Sequence, residues 1–214
     1  MISHALTIVI NELNRHLATT YLATTPQAEL GNLAEGFATS SGNGGLARDR
    51  LYLSMVNTSA EKTLMNLPNY VRNDATLRVT YKNPPVFLNL QILMVAAHVN
   101  YRDALLVLSR AIRFFQSQNV FTPDNVDPAS ITTNEPINPL DRLASFKLIF
   151  DLYSPTMEEV NHLWGTLGGK QYPFVLYVLR LLDLEFQAVQ SESGLITNVV
   201  RELYHKHPNN DAHG

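Results

Sequence analysis

The sequence predicts an α+β protein: one mixed, mainly antiparallel sheet with helices packed on it. Three observations carry this. "TLRVTYK" (76–82) alternates apolar and polar residues, the period of a half-exposed strand. "VFLNLQILMVAA" (86–97) and "FVLYVLRLLDLEF" (174–186) are apolar on both faces, as central strands are. Stretches with helical spacing separate these strands, and layered packing of the two is the arrangement that buries both apolar surfaces.

The elements follow in order. Residues 2–20 place Ile2, Leu6, Val9, Leu13 and Leu17 at three- and four-residue steps, which predicts an amphipathic helix. Residues 22–50 are rich in Thr, Ser and Gly and read as a long loop, with one short strand near Leu33–Phe37. "LYLSMV" (51–56) reads as a strand. After the central strand 86–97, Asn100 caps a helix running to Ser117, with Asp103 as the distal partner of a capping box. Tyr101, Leu105, Leu108, Ile112 and Phe115 form its expected buried stripe. Residues 122–141 hold Pro123, Pro128, Pro136 and Pro139 and read as an irregular crossing. "RLASFKLIFDLY" (142–153) reads as a strand with Ala144, Phe146, Leu148, Phe150 and Leu152 on one face.

Ser154 is the expected cap of the next helix, with Pro155 at its first position. Met157, Val160, Trp164 and Leu167 are the expected core stripe. "LITNVVRELYH" (195–205) reads as a partner strand, reached through a Ser-Gly turn at 191–194. The 214 residues suit a single domain, with loops at 22–50 and 122–141 and a tail from about residue 206.

"LWGTLGGKQYP" (163–173) raises the question of a phosphate loop. Phosphate-binding glycines lie between a strand and the start of a helix, where backbone N–H groups converge on the anion. Here the order is reversed. Gly168 falls where a helix ends with positive φ, and Trp164 falls on the buried stripe. The stretch reads as a structural corner.

Other chemistry is sparse. Seven histidines are scattered. His205 and His207 share a face but have no acidic cluster beside them, and His98 reads as a satisfied packing residue. Glu158 and Glu159 suit a helix first turn. Asp103 and Asp151 have no acid–base companion in the sequence. No catalytic, cofactor or metal residues are therefore assigned. The net charge is -3 with no basic block, which argues against nucleic acid. No apolar run approaches the roughly 20 residues of a membrane helix, so no direct membrane insertion is expected. Cysteine is absent, which removes disulfide and thiolate chemistry. Charged residues make up only 16%, which suits a surface covered by partners.

Four collinear stretches carry a resemblance: "INELNRHL", "LSMVNTSAEKTLMN" (53–66), "PPVFLNLQILMVAAHVNYRDALLVLSRAIRFFQSQNVFT" (84–122) and "LWGTLGGKQYPFVLYVLRLL" (163–182). Together they resemble the tube-terminator, or cap, proteins of contractile injection systems of the Photorhabdus virulence cassette and anti-feeding prophage type. The loop "TSSGNGGLARDR" (39–50) is longer and more Gly-rich than that pattern. The resemblance implies a phage tail-terminator-like fold and a homohexameric ring on the end of the inner tube, and on the sheath, that stops polymerisation. It implies tube and sheath proteins as partners, and assembly in the bacterial cytoplasm as part of an injection particle. The alternatives are an adaptor of the same fold, or a small-molecule-binding α/β enzyme. The segment Leu51, Tyr52, Leu53, Ser54, Met55 and Val56 is apolar on both faces. As an edge strand it would need cover, so it is the expected subunit or tube interface. The competing reading makes it a central strand of its own sheet.

Overall fold

A computed structural model of the chain describes residues 1–25, 27–38, 44–61, 70–73, 78–81, 86–143, 145–184 and 191–194. The chain falls into two compact units, Met1–Asn66 with Pro85–Glu185, and Leu67–Pro84 with Phe186–Gly214.

The first unit is built on a six-stranded sheet. Its strands are β1 (Ala28–Leu30), β2 (Leu51–Ala60), β5 (Val86–Ala96), β6 (Val120–Phe121), β7 (Leu148–Tyr153) and β8 (Phe174–Leu184), in the order β1-β2-β5-β8-β7-β6. Only β1 and β2 run parallel, so the sheet is mixed and mainly antiparallel, as expected. The two longest strands, β5 and β8, lie at its centre. The second unit holds a three-stranded antiparallel sheet of β3 (Tyr70–Asn73), β4 (Arg78–Tyr81) and β9 (Ser191–Gly194). Ser191–Gly194 is thus a strand and not the expected turn: its residues pair one-to-one with Tyr81–Arg78, and pairing overrides local turn chemistry. The expected strand at 195–205 lies outside the described residues.

One face of the six-stranded sheet carries α1 (Ile2–Tyr21) and α2 (Tyr101–Ser117). Alternate sheet residues Leu51, Leu53, Leu90, Ile92, Met94, Phe150, Tyr177 and Leu179 point into this layer. α1 contributes Ala5, Ile8, Val9, Leu13 and Leu17. It ends at Leu22, whose left-handed backbone (φ 56) returns an N–H to the Leu17 carbonyl. α2 is capped by the Asn100 side chain, which accepts from the Arg102 N–H.

The stripe of α2 is rotated from the expected one. Ala104, Val107, Leu108, Ala111, Phe114 and Phe115 are buried, whereas Tyr101 and Leu105 face solvent. Alanines seven residues apart let the helix lie close to the sheet, and the two phenylalanines fill the space beyond. Phe115 packs against Phe114, Phe121, Phe150 and Tyr177 at ring-centroid distances of 4.9–6.1 Å.

The proline-rich crossing is held to α1 by polar bonds. The buried Glu12 carboxylate accepts from the Asp127 N–H (2.8 Å), and Asn11 donates to the Ser130 and Thr133 carbonyls (2.9 Å each). Buried His4 accepts from the Leu143 N–H (2.9 Å) at Nδ1 and donates from Nε2 to the Ile131 carbonyl (3.0 Å). Within the crossing, Asp127 caps a short helix, α3 (Pro128–Thr132).

The opposite face carries α4 (Met157–Thr166) and a 3₁₀ turn, Leu33–Glu35. That turn stands where a strand was expected. The Asn32 side chain accepts from the Ala34 N–H and winds the chain there; the strand lies earlier, at Ala28–Leu30. α4 begins two residues later than expected. Thr156 and Glu159 make a reciprocal capping box, with the Thr156 N–H to Glu159 Oε2 at 2.7 Å, so Thr156 rather than Ser154 is the cap. The Tyr153 hydroxyl donates to the same carboxylate at 2.8 Å. These bonds hold the Glu159 carboxyl below its ordinary pKa, first through the Thr156 N–H; the Glu159 bond raises that of Tyr153. At its far end the Gly169 N–H reaches the Trp164 carbonyl (2.7 Å) with Gly168 at φ 90, the closing bond of a Schellman turn. Gly168 and Gly169 of "LWGTLGGKQYP" therefore end a helix, as the order of elements implied.

Candidate assembly surfaces

The segment 51–56 is divided by the structure. β1 runs alongside Leu51–Leu53, and the Gly31 N–H makes a further bond to the Leu53 carbonyl (3.1 Å). Leu51, Tyr52 and Leu53 are buried in the chain's own core, with the Tyr52 hydroxyl donating to the Ala47 carbonyl (2.8 Å). Burial, followed by the nearby Glu29 carboxylate, raises the pKa of Tyr52. β1 is kept in place by Asn14, whose Oδ1 accepts from the Gln27 and Ala28 N–H groups while its Nδ2 donates to the Ala28 carbonyl (2.8–2.9 Å).

Beyond Gly31 the chain turns away. Among the described residues, no strand then pairs with the outer edge of β2 from Ser54 to Ala60. Met55 is exposed, Ser54 and Val56 are half-buried, and a bulge at Val56 bends the strand. A notch bounded by Leu30, Gly31, Asn32, Leu53, Ser54 and Met55 marks where β1 leaves. The other edge of the sheet is similar. Among the described residues β6 pairs only with Leu148 and Ile149, and Leu152 at the end of β7 is exposed. Leu152 was expected on the same face as Leu148 and Phe150, but those two are buried and Leu152 is exposed.

Three more apolar residues expected in the core face solvent: Tyr101 and Leu105 on α2, and Met157 at the first turn of α4. The signal that would have found the first two is the run Ala104, Val107/Leu108, Ala111, Phe114/Phe115. It keeps a three–four spacing and leaves Tyr101 and Leu105 outside. Beside them is a groove of ≈ 520 Å³ lined by Tyr101, Leu105, Leu108, Gln171, Tyr172, Pro173 and Phe174.

Trp164 is core, as expected, at 6% exposure among Leu33, Tyr52, Leu93, Val95, Val160 and Leu176. Its Nε1–H has no hydrogen-bond partner among the described residues. His98 differs from expectation: its Nδ1 is buried without a partner among the described residues, and burial lowers its pKa against the pull of Asp49 and Asp103. Asp151 pairs with Arg180 on the outward side of β7 and β8. Among the described residues no cluster of three or more His, Asp or Glu side chains has the geometry of a metal site. His205 and His207 lie outside them. No helix among the described residues is long and apolar enough to cross a membrane.

The fold is that of two solved structures. One is the sheath/tube terminator, in the extended state, of the PVC extracellular contractile injection system. It matches with a TM-score of 0.61 and 12% identity over 97% of this chain and 64% of that one. The other is the tube-terminating cap of the anti-feeding prophage, with a TM-score of 0.55 and 11% identity over 91% of this chain and 60% of that one. The chain thus spans less than two thirds of the length of either. No curated protein matches it at a significant level. A family model, the Pvc16 N-terminal domain, matches residues 4–198, and the chain belongs to that family.

Proposed function

We propose that this chain is a structural cap that sits as a ring on the end of the inner tube of a contractile injection system, contacts the sheath, and stops polymerisation. The observation that carries this is the fold: nearly the whole chain superposes on a tube terminator and a tube-terminating cap. Capping needs no bond to be made or broken. One face must complement the last tube layer, and the opposite face must offer nothing on which another layer can add. The chain works as a non-enzymatic homohexamer assembled in the bacterial cytoplasm into the particle. Heterologous contacts between identical subunits close a ring when the rotation per subunit divides the circle. The partially open sheet edges and the exposed α2 and α4 residues supply surface for subunit, tube and sheath contacts.

The test is polymerisation of the cognate tube protein with and without the chain. Added at far below the tube-subunit concentration, the chain should arrest elongation and shorten the length distribution. Unchanged tube lengths at saturating chain would refute capping.

A further inference from the structure

We infer that the groove beside α2 is the seat of a second copy of this chain, which inserts Met157 there and sets Glu158 against Arg102. The inference rests on the ring proposed above and specifies which surfaces close it. Three observations lead to it.

The first is an unpartnered apolar surface. Val99, Tyr101 and Leu105 are 68%, 67% and 43% exposed, and the groove beside them is walled by Gln171, Tyr172 and Pro173. That wall follows the glycine turn that ends α4.

The second is a protruding residue of fitting chemistry. Met157 is 75% exposed at the opposite end of α4. A ten-residue helix is about 15 Å long. One subunit therefore presents the groove wall and Met157 at opposite ends of the same rod, and cannot fill its own groove. An unbranched thioether adapts to an irregular groove and packs well against aromatic rings, here Tyr101 and Tyr172.

The third is charge. Arg102 and Arg113 are exposed on α2 with no carboxylate partner among the described residues, against the single acid Asp103 on that helix. Glu158 follows Met157, as Arg102 follows Tyr101. Its described ion-pair partner is His162 (3.7 Å), which is charged only when protonated. A basic apolar patch and an acidic apolar patch on one subunit attract head to tail, while like patches repel. Each copy then uses each patch once, the condition for a closed ring.

Arg102→Glu and Glu158→Arg, singly and together, test this by solution mass and thermal melting of the full chain. Each exposed reversal should melt close to the parent and weaken ring formation at least roughly tenfold. The double reversal should restore the ring. Single variants that assemble like the parent, or a double variant no better than the singles, would overturn the pairing while leaving the ring intact. Rings that survive the reversals but no longer arrest tube growth would place the tube subunit on this face and overturn it too. A parent chain that stays monomeric, even with tube ends present, would sink the ring itself and the pairing with it.

Discussion

The two faces of the six-stranded sheet are covered very differently. One lies under α1 and α2, which together with β6 and the crossing bury a continuous aliphatic and aromatic layer. The other is covered only where α4 and the 3₁₀ turn at Leu33–Glu35 lie over Tyr52, Leu93, Val95 and Leu176. Past them it shows half-buried Gln91 and Val178 and exposed Arg180. The difference separates two tasks. The sealed face holds the fold together by burial of apolar area. The thin face holds an indole N–H that has no partner among the described residues, and displays α4 outside.

The largest expected effect is on the sealed face. Phe115→Ala removes a ring that contacts four other aromatic residues and should cost about 3–5 kcal/mol in denaturant unfolding. A cost under about 1 kcal/mol would mean that this layer relaxes and does not anchor the fold. On the thin face, Trp164→Phe should be milder. The lost volume is offset by removing a buried donor that has no partner among the described residues, a group whose burial costs about 1–3 kcal/mol. The net change should fall within about 1.5 kcal/mol by the same melts. A loss as large as that of Phe115→Ala would erase the contrast between the faces.

The third effect is absent at neutral pH and visible only at high pH. Burial in the sealed layer pushes the Tyr177 pKa up to about 12. The unfolded phenol ionises near its ordinary value of about 10 while the folded one keeps its proton. The unfolded state therefore binds fewer protons, and stability falls as pH rises from about 10 to about 12. Tyr177→Phe should remove that part of the slope. An unchanged slope would show that Tyr177 reaches solvent in the folded state.

Much of this architecture was readable from residue patterns. β5 and β8 announced themselves by apolar residues on both faces, and the glycine corner by lying after a helix rather than before one. What escaped was decided by tertiary contacts. β1 is three residues long and contains Glu29; it exists because Asn14 holds it against Leu51–Leu53, which no local period reveals. The face of α2 was misjudged because Leu and Tyr were weighed as core and Ala was not, although close helix–sheet approach favours the small residue. The start of α4 was misjudged because Ser154-Pro155 imitates a cap and first turn, while the reciprocal bonds belong to Thr156 and Glu159. The same two errors hid Tyr101, Leu105 and Met157, the residues of the proposed subunit contact. For the segment 51–56 the residue pattern showed a strand and left open whether it was an edge or a central one; β1 settles this for Leu51–Leu53 alone.

The measurement that tests the capping account most directly is electron cryo-microscopy of tubes grown to completion with the chain. The account predicts a six-fold ring of this chain, about 144 kDa for six chains of 24.0 kDa, at one end of each tube and nowhere along its length. Tubes decorated along their sides, or ends that stay bare at saturating chain, would contradict it.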